Sequence, residues 1–301
     1  MKAFFIFLAC LLAGISHADT LISQCGTIIT EPGKYKVSSD LLACVGNPNI
    51  YGAITVLETS DVQIDLNGHE ITCAPTDGVI DAGIGVLFSS EVKVTNGTVS
   101  FCDIGLLMFG TTSSMVADLT LRNNVEDPIF GGGIGIYLES SSKNKLTGNL
   151  VSQNASGIVL SLSDKNLVSG NTANENIAAG FRGNTGIGVI GNENIIRGNE
   201  ASLNAIVGIL VRFPSTGNLV QGNNAWSNGV FGIGAGGFAD FGDPIAAGNV
   251  FKGNTSLGHF WDLAEHLIDI ANESFLPSQA CNNTWKGNEF VSTHGPNDCF
   301  D

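Results

Sequence analysis

NKLTGNLVSQN (Asn144 to Asn154), NLVSGNTANEN (Asn166 to Asn176), NIIRGNEASLN (Asn194 to Asn204), NLVQGNNAWSN (Asn218 to Asn228), NVFKGNTSLGH (Asn249 to His259) and NTWKGN (Asn283 to Asn288) repeat one phrase. Each copy has an asparagine, an apolar residue two places on, and then Gly-Asn. The final asparagines, Asn149, Asn171, Asn199, Asn223, Asn254 and Asn288, recur at intervals of 22, 28, 24, 31 and 34 residues. A period in the twenties with growing insertions marks a repeat array whose units bury their apolar face only by stacking.

Two further regularities accompany the phrase. Five residues after the Gly-Asn asparagine comes another, at Asn154, Asn176, Asn204 and Asn228, and in the next coil the same step lands on His259. Asparagines at one position of successive coils satisfy each other's amides by stacking into a ladder, so they are read as scaffold. The second regularity is a glycine-opened strand: Gly135-Ile136-x-Leu138, Gly157-Ile158-x-Leu160-x-Leu162, Gly208-Ile209-x-Val211-x-Phe213 and Gly232-Ile233-x-Ala235. Gly85 with Val86 and Phe88, and Gly105 with Leu106 and Met108, read as earlier copies. If these alternate residues point inward, Leu87, Leu107, Phe109, Tyr137, Glu139, Val159, Ser161, Leu210 and Arg212 form an outer stripe. That stripe is more apolar than a free surface, which marks a ligand, a covering loop or a second subunit.

The remaining chain fits one elongated solenoid. It has 301 residues, 39 glycines and 43% hydrophobic residues, enough Ile, Val, Leu and Phe to exclude disorder. Lys2, the apolar run from Ala3 to Ile15, and Ser16-His17-Ala18 read as a secretory signal over residues 1–18; the runner-up is an uncleaved anchor, disfavoured because the run falls short of the ~20 residues that span a bilayer comfortably. Residues 19–50 read as an N-terminal cap, 51–258 as coils and 259–301 as the last coil with a C-terminal cap. Losing the leader removes Cys10 from the seven cysteines. Six remain, which fits three disulfides in an oxidising compartment, either extracellular or periplasmic. Proximity pairs Cys25 with Cys44 and Cys281 with Cys299. Cys73 and Cys102 lie about one repeat apart, so stacking brings them together. Zinc is disfavoured because no Cys-x-x-Cys pair exists.

The formal charge of −15, with no basic stripe visible along the sequence, argues against nucleic acid. It also repels polyanionic sugars unless a cation bridges them. Five sequons, at Asn96, Asn154, Asn254, Asn272 and Asn282, mostly overlap the repeat phrase.

The pattern falters twice. Between Gly236 and Gly248 lies a loop with Phe238, Asp240, Phe241, Asp243 and Pro244, either a site or a solvated excursion. From His259 to Ile270, apolar residues Phe260, Leu263, Leu267 and Ile270 fall at helical steps, which predicts a short capping helix; an irregular strand around Trp261 to Leu263 is the alternative. His259, Asp262 and His266 could share a face of that helix, but their spacing matches no metal-ligand signature, so no metal site is assigned.

The six Gly-Asn phrases, the segment from Cys25-Gly26 through Asp40-Leu41 to Cys44, the run Val62, Ile64, Asp65, Leu66, Asn67, Gly68, His69, and the ending Cys281 to Cys299 resemble secreted right-handed parallel β-helix repeat proteins of the pectin-lyase-like superfamily. The resemblance implies an all-β right-handed parallel β-helix with disulfide-closed caps at both ends. It does not carry over an active site. The polygalacturonase-like motifs are missing, and the epimerase-like Asp-Pro-His is represented only by Asp127-Pro128 and Asp243-Pro244. Lyase-like chemistry would require Ca²⁺ and a Lys or Arg base; Arg212 is the arginine expected to face outward. Asp65 and His69 are read as shaping a turn.

The resulting expectation is a secreted protein that binds, and in an enzymatic version cleaves or modifies, an extracellular polysaccharide through Phe109, Tyr137, Glu139, Arg212, Asp240 and Asp243. The alternative is a non-catalytic surface or adhesin-like protein that homo-oligomerises through its apolar outer stripe.

Overall fold

The computed structural model describes residues 19–45, 52–74, 81–124, 133–177, 185–238, 246–259, 261–269, 274–277 and 283–294. Every regular element among them is a strand, and nearly all pair in parallel one coil apart. Two long sheets and a short third face wrap around one continuous apolar core.

The Gly-Asn phrase builds the first sheet. Its apolar residue points inward and stacks on its counterpart, running Leu146, Val168, Ile196, Val220, Phe251 and Trp285. None is more than 2% exposed. The array ends on its largest side chains, with Phe251 and Trp285 stacked at 4.0 Å between ring centroids. The glycine-opened strands build the second sheet, whose inward column runs Ile84, Leu106, Ile136, Ile158, Ile187, Ile209 and Ile233. The coil Thr185–Val189 opens the same way, with Gly186 and Ile187, and places Gly188 in the outward position.

Three asparagine ladders hold the corners, where the second-asparagine spacing predicted one. They run from Asn144 to Asn283, from Asn149 to Asn288, and from Asn124 through Asn154, Asn176 and Asn204 to Asn228. Asn199 shows the unit. Its backbone N–H and its Nδ2 donate to Asn223 Oδ1 at 2.9 and 3.0 Å, its Nδ2 also donates to the Val168 carbonyl at 3.0 Å, and its Oδ1 accepts the same pair from Asn171. A buried amide with all four bonds made adds no desolvation penalty and fixes the register. Opening glycines exist to let this ladder pass: a Cβ on Gly186 would lie 2.6 Å from Asn204 Nδ2 and 2.7 Å from the Gly208 carbonyl oxygen.

His259 completes the third ladder as an asparagine mimic. Its Nδ1 accepts from Asn228 N–H at 2.8 Å, and its Nε2 lies 3.1 Å from the Ala225 carbonyl, which corresponds to the Ala201 carbonyl bonded by Asn228 Nδ2. The Nε2–H tautomer meets both demands.

Three expectations are corrected. Residues Trp261–Asp269 form a strand that pairs in parallel with Phe231–Phe238, not a helix. Gly85 is not a strand opener: it pairs with Leu107 on the outward side, and Gly83 takes the opening position. Phe88 and Leu162, placed inward by alternation, are 58% and 62% exposed. Both sit at a corner where the chain takes positive φ, 50° and 48°, which breaks the two-residue period.

Cys25–Cys44 and Cys73–Cys102 are bonded, the second with its Cα atoms 4.8 Å apart in adjacent coils. Cys281 and Cys299 lie outside the described residues. Asp65 accepts from Asn67 N–H and Asn96 Nδ2, while His69 pairs with Asp40 at 3.0 Å, so the turn reading of both holds.

Candidate functional site

The outer face of the second sheet carries two columns fixed by register. One runs Thr55, Gly85, Leu107, Tyr137, Val159, Gly188, Leu210 and Gly234. Beside it run Leu57, Leu87, Phe109, Glu139 and Ser161. Leu87, Leu107 and Leu210 face away from the core yet are only 5%, 9% and 3% exposed, so cover lies within the single chain. What stays accessible is concentrated around two aromatic rings and a polar cluster.

Phe109 is 36% exposed and pairs directly with Glu139 on the next coil. The Tyr137 hydroxyl donates a short hydrogen bond to Glu139 Oε2 and is bonded to the Ser161 hydroxyl as well. Burial first, and the Glu139 carboxylate second, push the Tyr137 phenol up to about 12, against the opposing effect of Ser161. At neutral pH Tyr137 is therefore a fixed hydrogen-bond donor and not a base.

Phe88 extends this platform. Its ring meets Phe109 edge-on at 5.1 Å between centroids, and it lines a shallow open depression of about 400 Å³ with Glu58, Thr59, Ser60, Ser90 and Thr112. Gly110, at φ +60°, makes the arrangement possible, since a Cβ there would approach Phe88 Cδ1 to 2.9 Å. A flat apolar ring bordered by hydroxyls and carboxylates suits a ligand with one apolar face and a rim of hydroxyl groups.

Of the expected site residues, Phe109, Tyr137 and Glu139 come together. Arg212 does not join them. It lies three strands from Glu139 along the same column, about 14 Å at the usual strand spacing. Asp240 and Asp243 fall outside the described residues. Sequence reasoning missed Phe88 and Glu58 because both occupy the positive-φ corner. Among the described residues there is no cluster of three His, Cys, Asp or Glu side chains able to hold a metal, and no helix is long and apolar enough to cross a membrane.

The outer face of the first sheet gathers cations that lie far apart in sequence. Two adjacent columns there hold Lys34, Lys36, Lys93, Lys145, Arg197, Lys252 and Lys286. These are seven of the chain's 13 lysines and arginines.

No curated protein sequence matches the chain significantly. The family model described as "Right handed beta helix region" matches residues 47–182. Among solved structures, the chain is similar to the periplasmic alginate epimerase AlgG, with a TM-score of 0.56 and 17% identity over 89% of this chain and 70% of that one. It is similar to the Dettilon tailspike protein, with a TM-score of 0.57 and 15% identity over 92% of this chain and 59% of the tailspike. It also resembles DFA-IIIase from Arthrobacter chlorophenolicus, with a TM-score of 0.52 and 15% identity over 92% and 70% of the two chains. Identities this low speak to fold alone. By repeat, register and these similarities, the chain folds as a right-handed parallel β-helix.

Proposed function

We propose that the protein binds an extracellular polysaccharide along the outer face of its second sheet, centred on Phe88, Phe109, Tyr137 and Glu139. The observation that carries this reading is the Tyr137–Glu139–Ser161 cluster set beside the Phe88–Phe109 pair. The rings offer a surface for the apolar face of a sugar, while the carboxylate and hydroxyls meet its hydroxyl groups. A similar structure named as an alginate epimerase supports a glycan as the ligand class. The two disulfides fit an oxidising compartment outside the cytosol.

In this reading Tyr137, whose phenol burial keeps protonated, donates to the Glu139 carboxylate and orients a ligand hydroxyl. A non-catalytic adhesin-like role is the second reading. Assembly through the apolar stripe is less suited to this face, because Leu87, Leu107 and Leu210 are already buried within one chain.

The test is a binding screen of the purified mature protein against neutral and uronate polysaccharides, with reducing ends and unsaturated products followed with and without Ca²⁺. Binding without turnover is the expected result. Turnover that depends on Ca²⁺ would establish lyase-like chemistry instead, and no binding to any glycan would remove the proposal.

A further inference from the structure

We propose that the glycan taken by the Phe88 and Phe109 platform is a cationic one, an amino-sugar polymer with free amines, and not a uronate. This inference rests on the polysaccharide reading of the same face and adds the charge of the sugar. Register sets the two rings between two carboxylates. Leu57, Leu87, Phe109 and Glu139 pair in one column on consecutive strands, and the residues that follow them, Glu58, Phe88, Gly110 and Ser140, turn the corner beside it at positive φ. Glu58 therefore stands one coil before Phe88 and Glu139 one coil after Phe109, about 14 Å apart at the usual strand spacing. The depression at this corner is lined by Glu58, Phe88, Gly110 and five hydroxyl side chains, and by no cation.

The rim adds two more acids. Ser60, Ser90, Thr112 and Ser142 bridge from coil to coil, so the residues after them line up as Asp61, Glu91, Ser113 and Lys143. Asp61 and Glu91 are exposed, and the first cation of that column lies two coils beyond Glu91. Glu58, Asp61, Glu91 and Glu139 make no ion pair among the described residues. Four carboxylates without a counter-ion around one depression favour a positive ligand, and the charge of −15 on the whole chain acts in the same sense. The aromatic rings agree with the acids. Phe88 and Phe109 are 58% and 36% exposed, and an aromatic face attracts an ammonium through its quadrupole. An amino sugar can place its ammonium against a carboxylate or an aromatic face while its hydroxyls meet the serines and threonines. A uronate brings its own carboxylate against the same four acids, a neutral glycan gains stacking without the charge, and a cationic peptide lacks the rim of hydroxyls.

The test titrates the purified protein by calorimetry with glucosamine oligomers, their N-acetylated counterparts, oligouronates and oligolysine, in low and high salt. The pH is about 5.5, where a carboxylate with the ordinary Glu pKa of ~4.3 is ionised and the sugar amine is protonated. Expected is tightest binding of the free amine, about tenfold above the N-acetylated chain, a margin that high salt erases. Glu58→Gln and Glu139→Gln should each cut that margin about threefold, the scale of one exposed charge pair. Glu175→Gln, an exposed acid on another corner, should leave it intact, and thermal melts confirm that the variants fold. Equal affinity for amine and N-acetylated chains, uronate binding as tight as that of the amine, or a margin untouched by both corner variants would each overturn the charge assignment and leave the polysaccharide reading standing. Oligolysine bound as tightly as the amino sugar would also overturn it, by reducing the attraction to net charge. Failure to bind any of the three glycans would sink the polysaccharide reading itself, and this inference with it.

Discussion

The two long sheets have nearly the same inner face and very different outer ones. Inside, both present columns of Ile, Val and Leu stacked coil on coil, capped at the corners by asparagine amides. Outside, the first sheet carries seven lysines and arginines beside an apolar stripe, while the second carries Phe109, Tyr137 and Glu139 and then thins to Gly188, Gly234 and Gly236. The inner columns specify the solenoid and carry no information about ligands. Any function is therefore written in residues whose identity the fold leaves free.

The largest effect is expected where the faces are alike. Val168→Asp or Ile196→Asp places a charge among residues that are 0% exposed, at a cost of at least ~3 kcal/mol, enough to unfold the stack. An unchanged melting temperature by circular dichroism would refute the inward assignment. Next comes Asn199→Ala, which removes the acceptor of both the Asn171 N–H and its Nδ2, for about 2–3 kcal/mol. His259→Asn should stay within about 0.5 kcal/mol of wild type, because the imidazole already makes the asparagine bonds. A large loss in that variant would show that the ring does something beyond ladder completion.

Effects confined to one outer face are smaller for stability and larger for binding. Phe109→Ala removes one ring of the edge-on pair, and Tyr137→Phe removes the donor to Glu139. Each should leave the melting temperature within a few degrees and weaken glycan binding by about tenfold, the scale of one aromatic or charged hydrogen-bond contact. The smallest effect is at Asp40. The Glu70 N–H and then His69 hold its carboxyl below the ordinary range. A depressed carboxylate contributes stability above its unfolded pKa, and that contribution is lost as pH falls through the lower folded value. Asp40→Asn should therefore reduce only slightly the acid sensitivity of unfolding below about pH 4, measured by melts at stepped pH.

Much of the scaffold was legible because its constraint repeats. The phrase from Asn144 onward announced the first sheet, the inward column and the stacking order, and cysteine spacing announced both described disulfides. The site was only partly legible. Alternation correctly turned Phe109, Tyr137 and Glu139 outward, but the corner residues Glu58, Phe88 and Leu162 adopt positive φ, so counting in twos sent Phe88 and Leu162 the wrong way. The helix expected after His259 arose from a coincidence of apolar spacing, and pairing with Phe231–Phe238 overrides it. The cationic column was invisible for another reason. Arg197, Lys252 and Lys286 are a coil or more apart in sequence, and only their register makes them neighbours.

The most direct measurement titrates the wild type and the double variant Phe109→Ala, Tyr137→Phe with glycans by calorimetry. A polysaccharide site on the second sheet requires that the wild type binds and that the double substitution weakens binding by about a hundredfold, the product of two tenfold losses. Unaltered glycan binding in the aromatic variant would contradict the polysaccharide site on the second sheet.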